Sequence, residues 1–295
     1  MMKKIIFDCD NTMGISGCDV DDGLALLYLL GEGSAELCGI TTTYGNSDAD
    51  TVYANTLKLL QEIGQTSIAV YKGCPGPATL QSEAVDFIVE EVNTYPHQIS
   101  ILATGSLTNL LGAYQKDREL FTKIAEIVLM GGITKELRIG GHLLKELNFS
   151  CDPAAAEQVL WAGKKLSVLT GNNCLEAYFS GREFGQKLEL SSQPVARYIL
   201  QQCNYWLHEL MAQFGLDGFY GWDVVAAAYL VRPELFEDQA IMITPNTRDL
   251  RGGWLLHRPW AKVKRPINIP GIKNAPALRN EIYNSWLRLD IPEQC

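Results

Sequence analysis

Hydrophobic and polar positions follow two rhythms along this chain. Short apolar runs rich in β-branched residues read as strands at Lys4–Asp8, Leu37–Thr42, Ser67–Tyr71, Ile99–Ala103, Glu126–Met130, Leu166–Leu169 and Ala240–Ile243. Longer amphipathic stretches between them read as helices at about 22–31, 48–63, 82–93, 107–116, 153–163, 191–213, 223–231 and 275–287. Strand–helix alternation implies crossover units, hence an α/β fold with a mainly parallel central sheet and helices on both faces. No run of Ser, Gly or Pro divides the chain and no internal repeat is visible, so residues 1–295 are expected to form a single domain. Ligands of such sheets bind at the carboxyl ends of the strands.

Composition narrows the function classes. A chain of 295 residues, 47% hydrophobic and 20% charged, is an ordinary globular protein able to bury a sizeable core. Its 25 basic and 34 acidic residues give a net charge of −9. That balance argues against nucleic-acid or anionic-membrane partners, which need a basic surface. The opening MMKKIIFDCD has too short an apolar run for a signal peptide, and the uncharged stretch from His97 to Gln115 is broken by polar residues and glycine. Eight cysteines (9, 18, 38, 74, 151, 174, 203 and 295) are scattered without C-x-x-C or zinc-like spacing. They read mostly as buried thiols in a reducing compartment, so a soluble cytoplasmic protein is expected.

The acidic residues are unevenly placed. Asp8, Asp10, Asp19, Asp21 and Asp22 fall within fifteen residues, around the end of the first strand and the start of an apolar helix. One aspartate there would merely cap the helix or favour its positive end. Several together are another matter, because two carboxylates about 4 Å apart repel by roughly 4 kcal/mol at an effective dielectric near 20. Such a group is held by raised pKa values or a divalent cation. Oxygen donors without a nearby His or Cys suit Ca²⁺ or Mg²⁺.

Two resemblances compete for this opening. The run Asp8-Cys9-Asp10-Asn11-Thr12 is similar to the D-x-D-x-T signature of haloacid-dehalogenase-like phosphatases, in which the first aspartate attacks phosphorus beside Mg²⁺. Thr104 could supply that family's strand-end Ser/Thr, but no downstream strand ends in the acidic pair it also needs. Asp8-x-Asp10 followed by Asp21-Asp22-Gly-Leu-Ala-Leu instead resembles the opening of the calcium-dependent nucleoside hydrolases, the inosine–uridine-preferring nucleoside N-ribohydrolases. Further segments match in order: Gly39–Asn46, Ala103–Asn109, Val128–Gly132, Glu146-Leu-Asn148 with Asp152-Pro153, and Trp222-Asp223. The chain is identified as a member of this second family.

That resemblance implies a Ca²⁺ cofactor held by Asp10, Asp22, the Thr104 carbonyl and Asp223. It implies a water activated by Asp10, and hydrolysis of the N-glycosidic bond of a small-molecule ribonucleoside. Asp21 and Asn46 would contact ribose hydroxyls, Glu146 and Asn148 the 5′ end, and Met130 the underside of the sugar. As plain residues, Met130 would be core, Asn148 a turn former and Asp223 a helix cap. Spaced two apart, Glu146 and Asn148 could point at one ligand from an extended segment. A homodimer or homotetramer is also implied.

Two departures stand out. The segment Asn11–Val20 is about seven residues longer than the family pattern and is expected to bulge outward, leaving Asp19 a spare ligand or a surface charge and Asn11 or Thr12 beside the site. Trp222 stands where many members carry a proton-donating His. An indole stacks on a base but cannot protonate it, which leans toward purines, with Tyr178 and Tyr220 as candidates for a second aromatic wall. Neither His97 nor His142 falls on an acid position. The missing histidines also keep open a relative that binds ribose or nucleoside without cleaving it.

Overall fold

The computed structural model describes residues 2–293; Cys295, read above as one of the thiols, lies outside them. An eight-stranded sheet is built from β1 (Lys3–Cys9), β2 (Ala35–Thr42), β3 (Val70–Tyr71), β4 (Ile99–Ala103), β5 (Glu126–Met130), β6 (Leu166–Leu169), β7 (Ala240–Ile243) and β8 (Arg265–Asn268). Their spatial order is β7-β8-β6-β5-β4-β1-β2-β3. Every pairing is parallel except β7 with β8 at one edge. The expected mainly parallel α/β fold is therefore found.

Helices α1 (Asp21–Gly31), α2 (Ala49–Glu62), α3 (Glu83–Thr94), α4 (Thr108–Lys116), α5 (Pro153–Ala162), α6 (Pro194–Phe214), α7 (Trp222–Val231) and α8 (Ala275–Arg288) match the amphipathic stretches. Their ends follow local chemistry. Asp48, Ser82, Asp152 and Asn274 cap α2, α3, α5 and α8 through side-chain oxygens. Pro194 starts α6 three residues later than the periodicity suggests, and Gly215, at φ 62°, ends it in the left-handed conformation.

Strand β1 shows the period of two directly: Ile5, Phe7 and Cys9 pack into the core on the α1, α7 and α8 face, while Ile6 joins the core formed with α3, α4 and α5. β8 escaped the pattern because it is short and carries Pro266, and only Asn268 pairs with β6. A short antiparallel pair, Tyr178–Ser180 with Gly218–Tyr220, precedes α7. All seven described cysteines are free thiols, four of them buried. Among the described residues no helix is long and apolar enough to cross a membrane.

Candidate active site

The parallel register brings distant segments to one rim. Asp8 is opposite Thr41 on β2 and Ala103 on β4, so Asp10, the turn after β2, and Thr104 emerge side by side. The next strand ends at Met130. Helices α1 and α7 pack against each other and begin at this rim, bringing Asp21, Asp22 and Asp223 together on two N-terminal turns. Neither Asp21 nor Asp223 is a helix cap: the cap residues are Val20 and Gly221, and neither has a capping side-chain bond. Carboxylates still gain from the positive helix ends.

Above the rim lies a cavity of about 220 Å³. Its walls include eight predicted positions, Asp21, Asn46, Thr104, Met130, Glu146, Asn148, Trp222 and Asp223, together with Asp19 and an apolar side made by Leu137, Leu144 and Leu147. Asp10 and Asp22 do not line it; they lie beneath its floor, both almost wholly shielded from solvent. The Asp10 Oδ2 atom accepts the Asn46 N–H at 2.6 Å, and Asp22 Oδ1 accepts the Thr104 hydroxyl at 2.6 Å. A Cβ at Gly45 would fall 2.0 Å from Asp10 Oδ2, so only glycine leaves room for that carboxylate.

The remaining oxygens of these two groups, Asp10 Oδ1 and Asp22 Oδ2, are buried without a hydrogen-bond partner. One carboxylate oxygen from each of Asp21, Asp22 and Asp223 lies within 4.8 Å of the other two. Burial pushes the pKa of Asp22 and Asp223 well above the carboxylate range, and the neighbouring carboxylates push them further. Burial also raises Asp10, and lifts Asp21 to about 6. An all-oxygen set with orphaned acceptors and no basic partner among the described residues fits a hard divalent cation. The geometric set includes Asp21, which the sequence resemblance puts on the sugar instead.

Other expected residues serve several contacts at once. The Asn148 amide donates to the Thr104 carbonyl at 2.7 Å, to the Met130 carbonyl at 3.0 Å and to the Met130 sulfur at 3.2 Å. It thus ties two strand ends together. Glu146 and Asn148 are not on an extended segment: Asn148 opens a short helical turn, and Glu146 accepts the N–H groups of Phe149 and Ser150 in that turn. Glu146 also accepts the N–H of Gly132, which sits at φ 73°. Several buried N–H donors hold its carboxylate even though burial raises its pKa.

Asp8 is the residue whose task sequence reasoning missed. It is fully buried, accepts the Thr41 hydroxyl at 2.6 Å and the Asn109 amide at 2.8 Å, and does not line the cavity. It fastens β1 to β2 and α4. Its Oδ1 is taken up by these two scaffold donors, a structural task that the D-x-D-x-T reading, with Asp8 as nucleophile, does not call for.

Trp222 is half-buried and lines the cavity, with the Tyr220 ring 5.2 Å away at 40°. Tyr178 lies 5.2 Å behind Tyr220, and neither tyrosine reaches the cavity. They buttress the indole and form no second wall. Among the described residues no histidine lines the cavity. The Asn11–Val20 segment does not bulge outward: Asn11, Thr12, Met13 and Val20 are buried, and only Ser16 and Gly17 are exposed. Asn11 and Thr12 face the scaffold, bonding to Thr56 and to the Asp19 carbonyl.

Comparison with known proteins adds independent findings. A sequence model of the family described as "Inosine-uridine preferring nucleoside hydrolase" matches residues 5–274. Uridine nucleosidase 1 of Arabidopsis thaliana is 27% identical over 286 residues, covering 86% of this chain and 81% of that protein. A pyrimidine-specific ribonucleoside hydrolase of Salmonella newport is 26% identical, covering 80% of this chain and 82% of that protein. The solved purine-preferring ribonucleoside hydrolase from Gardnerella vaginalis superposes with a TM-score of 0.82 at 26% identity, covering 97% of this chain and 99% of that one.

Proposed function

The chain belongs to the inosine–uridine-preferring nucleoside hydrolase family, and from that premise we propose that it cleaves ribonucleosides to ribose and free base at the acidic rim, with a lean toward purines. The observation that carries this reading is the set of buried carboxylates, two of them with an orphaned oxygen, next to a cavity lined by Asp21, Asn46, Met130, Asn148 and Trp222.

Asp10, Asp22, Asp223 and the Thr104 carbonyl would hold a Ca²⁺ ion, with Asp21 close enough to share it. The ion, when bound, lowers the pKa of water and offsets the repulsion among the acids. Asp10 receives the proton of the attacking water on Oδ1, the oxygen without a donor. Its other oxygen is fixed by the Asn46 N–H, so the accepting atom keeps its aim. Asp21 accepts hydrogen bonds from the ribose hydroxyls, and Asn46 reaches the sugar with its side-chain amide. Asn148 orients the Thr104 carbonyl and the Met130 sulfur that form the floor under the sugar.

The leaving base would lie against Trp222 and the leucine side of the cavity, where stacking on a two-ring purine gains more area than on a pyrimidine. Relatives named for uridine, for pyrimidines and for purines show that the family supports either preference. Among the described residues no histidine lines the wall; Lys145 is the one basic side chain on it, and the proton for the departing base would come from it or from solvent.

Reducing-sugar release from inosine, guanosine, uridine and cytidine in the presence of Ca²⁺ tests the reading. Ribose release that is fastest from inosine and guanosine is expected. Nucleoside binding without any ribose release would reduce the protein to a nucleoside binder.

A further inference from the structure

The segment between β1 and α1 is held like a designed support and not like a surface loop. The Asn55 amide of α2 donates to the carbonyls of Asn11 and Met13, at 3.3 and 3.0 Å. The Tyr205 hydroxyl of α6 accepts the Gly14 N–H at 3.3 Å and donates to the Cys18 carbonyl at 3.1 Å, bridging the two sides of the turn. Gly14 sits at φ 90°, in the left-handed region that favours glycine, with the Gln202 side chain against it. The Thr12 hydroxyl closes the segment onto the Asp19 carbonyl at 3.0 Å.

This scaffold presents Asp19 to the cavity already described, on the same wall as Asp21. One Asp19 oxygen accepts the Val20 N–H at 2.7 Å, which fixes the carboxyl plane. The carboxyl is within hydrogen-bonding reach of that of Asp21, so the two can share one proton and leave an acceptor oxygen over, and it makes no ion pair among the described residues. A surface charge would need neither the tether nor the cavity-facing pose. A carboxyl held in this way accepts hydrogen bonds from N–H or O–H donors, and a nucleoside offers both, on its base amino group and its ribose hydroxyls.

We propose that Asp19 is a substrate-contacting, specificity-determining residue that accepts a hydrogen bond from a hydroxyl or amino donor of the nucleoside, and that Tyr205 positions it. This rests on the nucleoside-hydrolase reading of the cavity. Asp19 takes no part in bond cleavage; it sets which nucleosides are held well.

The test is steady-state kinetics of Asp19→Ala, Asp19→Asn and Tyr205→Phe on inosine, adenosine, guanosine, uridine and cytidine, and on the 2′-, 3′- and 5′-deoxy forms of inosine. Asp19→Ala should raise KM by about tenfold or more and change kcat by less than about threefold. If the donor is a ribose hydroxyl, one deoxy-inosine should be handled equally by wild type and variant. If it is a base amino group, adenosine, guanosine or cytidine should lose and inosine should not. Asp19→Asn, which keeps a carbonyl acceptor, should recover part of the loss. Tyr205→Phe should show a smaller KM increase with the same substrate pattern, which general loosening of the fold would not produce. Unchanged KM, a uniform fall in kcat, or a KM increase that no substrate abolishes would overturn the proposal. Nucleoside binding measured by titration separates the two readings. A wild type that binds but does not cleave overturns the hydrolase reading and leaves Asp19 to be judged on Kd by the same pattern. A wild type that does neither overturns both.

Discussion

Helices α1 and α7 lie side by side, and their two ends treat acidic residues in opposite ways. At the amino edge of the sheet, Glu32 follows the last turn of α1 and is met by Arg288 at 3.1 Å and Arg232 at 4.0 Å. Arg232, just past the end of α7, also meets Glu281 at 2.8 Å, and Lys3 meets Glu126 at 2.7 Å. At the other end of the same helices, Asp21, Asp22 and Asp223 are buried with no Lys or Arg partner among the described residues. A fold that pairs its acids so consistently at one edge could have done so at the other. The unpaired end therefore marks where charge is reserved for a ligand, since buried acids without compensation cost stability.

The largest expected effect comes from removing the proton acceptor at the unpaired end. Asp10→Ala should lower kcat by about a hundred- to ten-thousandfold and weaken Ca²⁺ binding, because one carboxylate serves both tasks. Ribose release and a Ca²⁺ titration of the variant check it; near-normal turnover would break the distinction between the two ends.

The next effect is on stability and pH. Folding brings protons to the carboxyls of the rim and of the scaffold beneath it, because their folded pKa values lie above the usual value of 3.8: Asp8, in the scaffold, near 7 and Asp21, on the rim, near 6, both chiefly through burial. Native protein therefore binds more protons than unfolded protein between about pH 4 and pH 7, and stability falls as pH rises across that window. In chelator, the melting temperature should decline from pH 5 to pH 8. Added Ca²⁺ should raise it more at pH 8 than at pH 5, since the cation competes with protons for the same oxygens. A flat profile would mean that the rim acids are compensated in another way.

Smaller still is the effect on base choice. Trp222→Ala should cost purine nucleosides about tenfold in kcat/KM and pyrimidine nucleosides less, in keeping with base–aromatic stacking of about 1–3 kcal/mol. Equal losses would remove the purine lean. Smallest is Arg288→Ala at the paired edge, with about 1 kcal/mol or less of stability lost and turnover unchanged, because its side chain is half exposed and Glu32 keeps Arg232. Urea melts and a turnover assay read both.

Much of this contrast was legible before folding. The β-branched runs at Lys4–Asp8 and Ile99–Ala103 and the Asp21-Asp22 pair before an apolar helix are local signals, so the sheet centre and one side of the rim could be read directly. Asp223 could be joined to them only through family resemblance, because no local pattern says which helix packs beside α1. The leucine wall at 137, 144 and 147 lies beside and after a two-residue antiparallel pair, Arg138–Ile139 with His142–Leu143, which is too short to leave a hydrophobic period in the sequence. Glu146 and Asn148 were found, but their segment turns because the Glu146 carboxylate satisfies the N–H groups of the following residues. Asp19 was undecidable from its neighbours: its exposure depends on Tyr205 and Asn55, far along the chain.

The most direct measurement is a calorimetric Ca²⁺ titration at pH 8 of the wild type, Asp22→Asn, Asp223→Asn and, from the opposite edge, Arg288→Ala. One Ca²⁺ per chain should bind to the wild type and to Arg288→Ala alike, with affinity lost or strongly weakened in both aspartate variants. Equal Ca²⁺ affinity in all four proteins, or none in the wild type, would contradict the assignment of the unpaired acids to a cation.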